Sequence, residues 1–129
     1  IFDGSRVIYW CPRINESLIE WWKLCNMKFF ETDFVLNSGP VIPVLALNAD
    51  DTLEPMVEAL VAGGIKVFEV VLRTPSALEV IKRLSGRVPI LGAGTILNKS
   101  QMLEAQKAGA TFCVSPGLTE QIHEAAVEL

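Results

Sequence analysis

Four short apolar runs recur along the chain, at residues 41–47 (VIPVLAL), 67–72 (VFEVVL), 90–96 (ILGAGTI) and 112–115 (FCVS), with 22 to 26 residues between successive starts. None shows the polar alternation of a half-solvated strand, so each suits a parallel strand covered on both faces. The intervals leave room for one helix and two short loops, the rhythm of consecutive βα units. Four such units make half of a (βα)₈ barrel, and the fold class expected is α/β, a truncated TIM barrel. A flavodoxin-like open sheet is the alternative at this length.

The intervening segments carry helix punctuation. Asp51 with Glu54 three residues on predicts a capping box, followed by Leu53, Met56, Val57, Leu60 and Val61 on one face and a stop at Gly63-Gly64. Thr74-Pro75 predicts the next helix start, with Ala77, Val80, Ile81 and Leu84 inward and an end at Gly86. A third helix is predicted from Asn98 to Gly109, and a fourth from Thr119 with Ile122, Ala125, Ala126 and Leu129 on one face.

Composition changes near Met27. All three tryptophans (Trp10, Trp21, Trp22), the single Tyr9 and two of three cysteines precede it, and the chain begins with Ile. Residues 1–26 have some helical spacing in Leu18, Ile19, Trp22 and Leu24 but no motif with chemistry. The expected organisation is a non-family segment at 1–26, such as read-through of upstream sequence, and a domain at 27–129.

Half of the 129 residues are hydrophobic and a fifth are charged, with a net charge of −4. That excludes a disordered chain and argues against nucleic acid or an anionic membrane as partner. No apolar run reaches the roughly 18 residues of a spanning helix, and the start lacks the order of a secretory signal. Cys11, Cys25 and Cys113 have no metal-ligand spacing and read as reduced thiols of a cytoplasmic protein. His123 stands alone on its helix and reads as a surface or packing histidine, not a metal ligand.

Two residues break the rule for a doubly covered strand. Glu69 and Arg73 lie four apart in VFEVVLRT, hence on one face and about 13 Å apart along the strand, with the arginine toward the carboxyl end. In a parallel barrel this places an acid in the lumen and a cation at its mouth, suited to proton transfer beside a bound anion. The bland reading is an edge strand facing water. Gly92, Gly94 and Thr95 in GAGT suggest close backbone approach and an anion contact at the next strand end, without the spacing of a dinucleotide fingerprint. Ser115-Pro116-Gly117 is a turn at the end of the fourth run.

In this order and spacing, GPVIPVLAL, LVAGGIKVFEVVLRT, GAGTILN, AGA and SPGLTE resemble the 2-keto-3-deoxy-6-phosphogluconate (KDPG) aldolase / 4-hydroxy-2-oxoglutarate (KHG) aldolase family over residues 38–129. The resemblance implies a (βα)₈ barrel, homotrimeric as a rule, that splits a keto-acid substrate into pyruvate and an aldehyde. It implies class I chemistry through a lysine Schiff base, without metal or cofactor. By motif position Glu69 corresponds to the proton-transferring glutamate, Arg73 and Thr95 to the residues binding the pyruvyl carboxylate, and Pro116 to nearby backbone. The family's Schiff-base lysine lies on the sixth strand, beyond the four units read here. Of Lys66, Lys82, Lys99 and Lys107, only Lys99 follows a strand closely enough to approach the mouth. The resemblance therefore implies a fragment holding the acid/base and carboxylate groups without the nucleophile. Two other readings compete: a non-catalytic half-barrel that self-associates through its open edges, and a thiamine-phosphate synthase relative.

Overall fold

The computed structural model describes residues 7–10, 30–49 and 52–128. Five strands form one sheet: β1 (Val7–Trp10), β2 (Val44–Leu45), β3 (Val67–Val71), β4 (Ile90–Gly94) and β5 (Phe112–Ser115). Five helices accompany them: α1 (Phe30–Asn37), α2 (Leu53–Ala62), α3 (Ala77–Leu84), α4 (Lys99–Ala108) and α5 (Glu120–Glu128).

The order β1-β5-β4-β3-β2 puts each of β2 to β5 beside its neighbour in sequence, all parallel. A doubly wound sheet would instead reverse direction at a switch point and carry helices on both faces. Here Phe68, Val70, Leu91, Ala93 and Cys113 pack with Val57, Ile81, Met102 and Ile122, one from each of α2 to α5. All four helices thus share one face, as the βα units of a barrel require.

The opposite face carries the alternate residues. Val67, Ile90, Phe112 and Val114 cluster there around Val35 of α1, which is fully buried. Three of these begin their strands, so α1 covers the amino-terminal end of the inner face and leaves the carboxyl end clear. Because both faces are apolar, no alternation was visible in the sequence.

β1 adds an antiparallel strand to the outer edge of β5, pairing Val7 with Ser115 and Trp10 with Phe112. No strand was expected there, nor was α1. The predicted helical spacing over Leu18 to Leu24, Cys11, Cys25 and the Asp51 cap lie outside the described residues.

Several boundaries differ from the sequence expectation. α2 has Thr52 at its cap position with no side-chain cap bond, and Glu54 turns instead to Arg83. Its face is narrower than predicted: Leu53 and Val57 are buried, Met56 and Leu60 pack partly, and Val61 is exposed. α3 starts after Ser76, because Thr74 donates its hydroxyl to the Leu47 carbonyl (2.6 Å) and Ser76 accepts from the Ala49 N–H (3.0 Å). The predicted inward residues of α3 are all buried. α4 follows expectation, with the Asn98 side chain accepting from Gln101 N–H at 2.9 Å and Gly109 closing it at φ 112°.

Candidate active site

β3 is flanked by β2 and β4, so Glu69 and Arg73 do not sit on an edge strand in water. Glu69 falls on the inner face between Val67 and Val71 and retains only 5% of its exposure. Burying a carboxyl this far is costly unless it is partnered, and Glu69 is not without a partner. Arg73 lies two residues past the end of β3, its N–H donating to the Val71 carbonyl at 2.8 Å in a tight turn. That turn brings the guanidinium over the carboxyl ends of the strands, exposed to solvent at the mouth.

The next strand end supplies Thr95. Arg73 Nε donates to Thr95 Oγ1 at 3.3 Å. Thr95 has φ 62°, and among the described residues it is the one non-glycine with a positive φ. A β-branched side chain in the left-handed region is strained, and strain of this kind collects at functional sites. It turns the hydroxyl toward the arginine.

The third strand end supplies Pro116. Ser115, 1% exposed, donates its hydroxyl to the Gly117 carbonyl (2.7 Å) and accepts from the Gly117 N–H (3.3 Å), clamping the turn around Pro116. Glu69, Val71, Arg73, Thr95, Val114 and Pro116 together line one cavity of about 50 Å³. All four residues singled out in the sequence therefore converge at the carboxyl end of the sheet, where the active sites of parallel barrels lie. Val71 and Val114 complete the wall; nothing in an unbroken apolar run marked them.

The described lysines stand elsewhere. Lys66 is exposed before β3, at the amino end; Lys82 and Lys107 are exposed on α3 and α4. Lys99 is engaged by the Glu128 carboxylate. His123 is exposed on α5, and Cys113 is buried in the helix-side core with no disulfide. Among the described residues no group of three or more His, Cys, Asp or Glu is arranged to hold a metal ion, and no helix is long and apolar enough to cross a membrane.

Away from the cavity, Arg83 donates both its outer nitrogens: one to the Ala49 carbonyl, the other to both Glu54 oxygens at 2.9 and 3.0 Å. The Arg83 guanidinium holds the Glu54 carboxyl below its ordinary 4.5. A groove of about 440 Å³ between α2 and α3 is lined by Val57, Val61, Leu84 and Arg87 among others.

A sequence profile of the KDPG and KHG aldolases matches residues 32–129. The chain belongs to the KDPG/KHG aldolase family. Over 106 residues it is 46% identical to the KHG/KDPG aldolase of Escherichia coli K12 and 48% identical to the 2-dehydro-3-deoxy-phosphogluconate aldolase of Dickeya dadantii, covering 79% of this chain and 50% of each relative. A KDPG aldolase structure from Zymomonas mobilis ZM4 with 3-phosphoglycerate superposes with a TM-score of 0.69 at 49% identity, over 74% of this chain and 46% of that one. A Legionella pneumophila KDPG aldolase with pyruvate captured as a covalent carbinolamine superposes at 0.66 and 41% identity, over 70% and 45%. The chain spans about half the length of the relatives it matches. These aldolases are lyases, and the four βα units fit part of their TIM-barrel-like fold.

Proposed function

We propose that residues 38–129 supply the acid/base and carboxylate-binding part of a Schiff-base aldolase site for 2-keto-3-deoxy-6-phosphogluconate, 4-hydroxy-2-oxoglutarate or both. The observation that carries this is the shared cavity: a buried carboxyl, Glu69, opens into the same small space as Arg73 and Thr95. The substrate carboxylate lies against the planar fork of Arg73 and the Thr95 hydroxyl, with backbone near Pro116 closing the third side. Glu69 then takes the C4 hydroxyl proton as the C3–C4 bond breaks. The bond's electrons pass to the iminium formed by a lysine on the keto carbon, leaving the enamine of pyruvate and a free aldehyde.

That lysine is assigned to a strand outside these residues, since Lys66, Lys82 and Lys107 do not line the cavity and Lys99 is paired with Glu128. The N-terminal half of the aldolase barrel is assigned to residues 27–129, with 1–26 a non-family segment. On the resemblance, the whole protein is a cytoplasmic homotrimer.

A chimera tests the reading: residues 27–129 joined to the unmatched half of the Escherichia coli relative, assayed for pyruvate release from KDPG and for borohydride trapping of a pyruvate adduct. Both signals are expected, and Glu69→Gln should abolish turnover and slow formation of the trapped adduct, because the same carboxyl shuttles protons in carbinolamine dehydration. A folded chimera with neither signal overturns the assignment.

A further inference from the structure

We propose that Gly94 is a positioning residue for Glu69: the space left by its missing side chain is where the carboxylate lies. An ideal Cβ built on Gly94 would stand 2.0 Å from Glu69 Oε1, 2.8 Å from its Cδ and 2.9 Å from Val71 Cγ1. Such separations are far inside van der Waals contact, so an alanine and this carboxylate position exclude one another. The backbone gives no other reason for glycine. The described glycines with positive φ are Gly64, Gly86 and Gly109, and Gly94 pairs in regular parallel register with Val71.

Gly92, two residues earlier on the same face, makes the contrast. Its Cβ would strike the Phe112 ring at 2.2 to 2.5 Å, so that glycine serves packing in the core. Gly94 meets the far end of a flexible acidic side chain instead. A methyl group there displaces the carboxylate before it displaces the strand. The glycine thereby fixes how far Glu69 stands from Arg73, the one other ionisable group lining the cavity. In chemical terms it sets the distance between the proton acceptor and the anchored end of the keto acid. This rests on the aldolase reading for its meaning and on the contact alone for its geometry.

Two measurements on the 129-residue chain separate those layers. The first is an unfolding cycle with Gly94→Ala, Glu69→Asp and the double variant. Shortening the acid by one methylene withdraws its oxygens, so Gly94→Ala should cost less than half as much in the Glu69→Asp background. The second is pyruvate titration across pH. An ionised Glu69 repels the pyruvate anion held by Arg73, giving an affinity that falls with rising pH and a limb that Glu69→Gln removes. Gly94→Ala should shift that limb by about half a pH unit or more, a change that mere loss of stability does not produce. Equal costs in the two backgrounds, a superimposable limb, or a double variant that fails to fold as fully as the single one overturns the proposal. A wild-type chain that binds no pyruvate removes the carboxylate-binding role read for Arg73 and Thr95 instead, and the unfolding cycle alone then decides on Gly94.

Discussion

Thr95→Gly separates strain from contact at the mouth of the cavity. At φ 62° the threonine bears the left-handed penalty of an L-residue, about 1–2 kcal/mol. Glycine removes it but returns about 0.4–1 kcal/mol of freedom to the unfolded chain. The hydrogen bond given up, 3.3 Å from Arg73 Nε, is long and open to solvent, at the weak end of the range near 0.5 kcal/mol. The sum lies within about 1 kcal/mol of zero. Thr111→Gly is the control: its φ is not positive and its hydroxyl donates to the Leu91 carbonyl at 2.9 Å in a partly buried setting. With no strain to release, that variant should lose about 2 kcal/mol from the bond and the chain entropy together. Urea unfolding followed by far-UV circular dichroism, with unchanged slopes, reads both. Pyruvate affinity should fall about tenfold in Thr95→Gly, one charge-assisted hydrogen bond, and stay level in Thr111→Gly. If Thr95→Gly proves as destabilising as Thr111→Gly, the left-handed threonine is not strained and the argument from it fails.

Arg73→Ala should weaken pyruvate binding about tenfold or more while leaving the unfolding midpoint in place, because the side chain is exposed and its partner is a single hydroxyl; isothermal titration and urea melts check the two halves. Gly92→Ala should cost about 1–3 kcal/mol by overpacking against Phe112, and Phe112→Leu in the same chain should recover part of it. The Glu54 carboxyl is depressed by its bond to Arg83, so its contribution is present above the unfolded value and lost as pH falls through the folded one. Stability of the wild type should therefore decline more steeply below about pH 4.5 than that of Glu54→Gln, a difference read from urea midpoints across pH.

The parts of this fold that could be read in advance are those where a residue type and its position agree. Asn98 and Gly109 bracket α4 because one accepts a backbone hydrogen bond and the other tolerates φ 112°. Glu69 announced itself by being charged in a run that ought to be apolar, but whether it faced the lumen or water was decided only by the place of β3 inside the sheet. Thr95 was singled out for its hydroxyl; its left-handed backbone has no signature in a threonine. The start of α3 was misplaced because Thr74 and Ser76 spend their hydroxyls on Leu47 and Ala49, twenty-seven residues away, and such contacts leave no local trace. The Glu54 bond to Arg83 is of the same kind. Val71, Val114 and the spacing role of Gly94 were hidden because strands buried on both faces look alike from either side.

β2 contributes only two residues to the ladder, yet the loop after it is fastened three times by one neighbour: to Thr74, to Ser76 and to Arg83. A chain assembled this way comes apart in a set order. Once the turn before α3 loosens, β2 and α2 swing clear together while β3 and β4 keep their mutual bonds, so the amides of residues 44–45 and 53–62 should exchange with solvent well before those of 67–71 and 90–94.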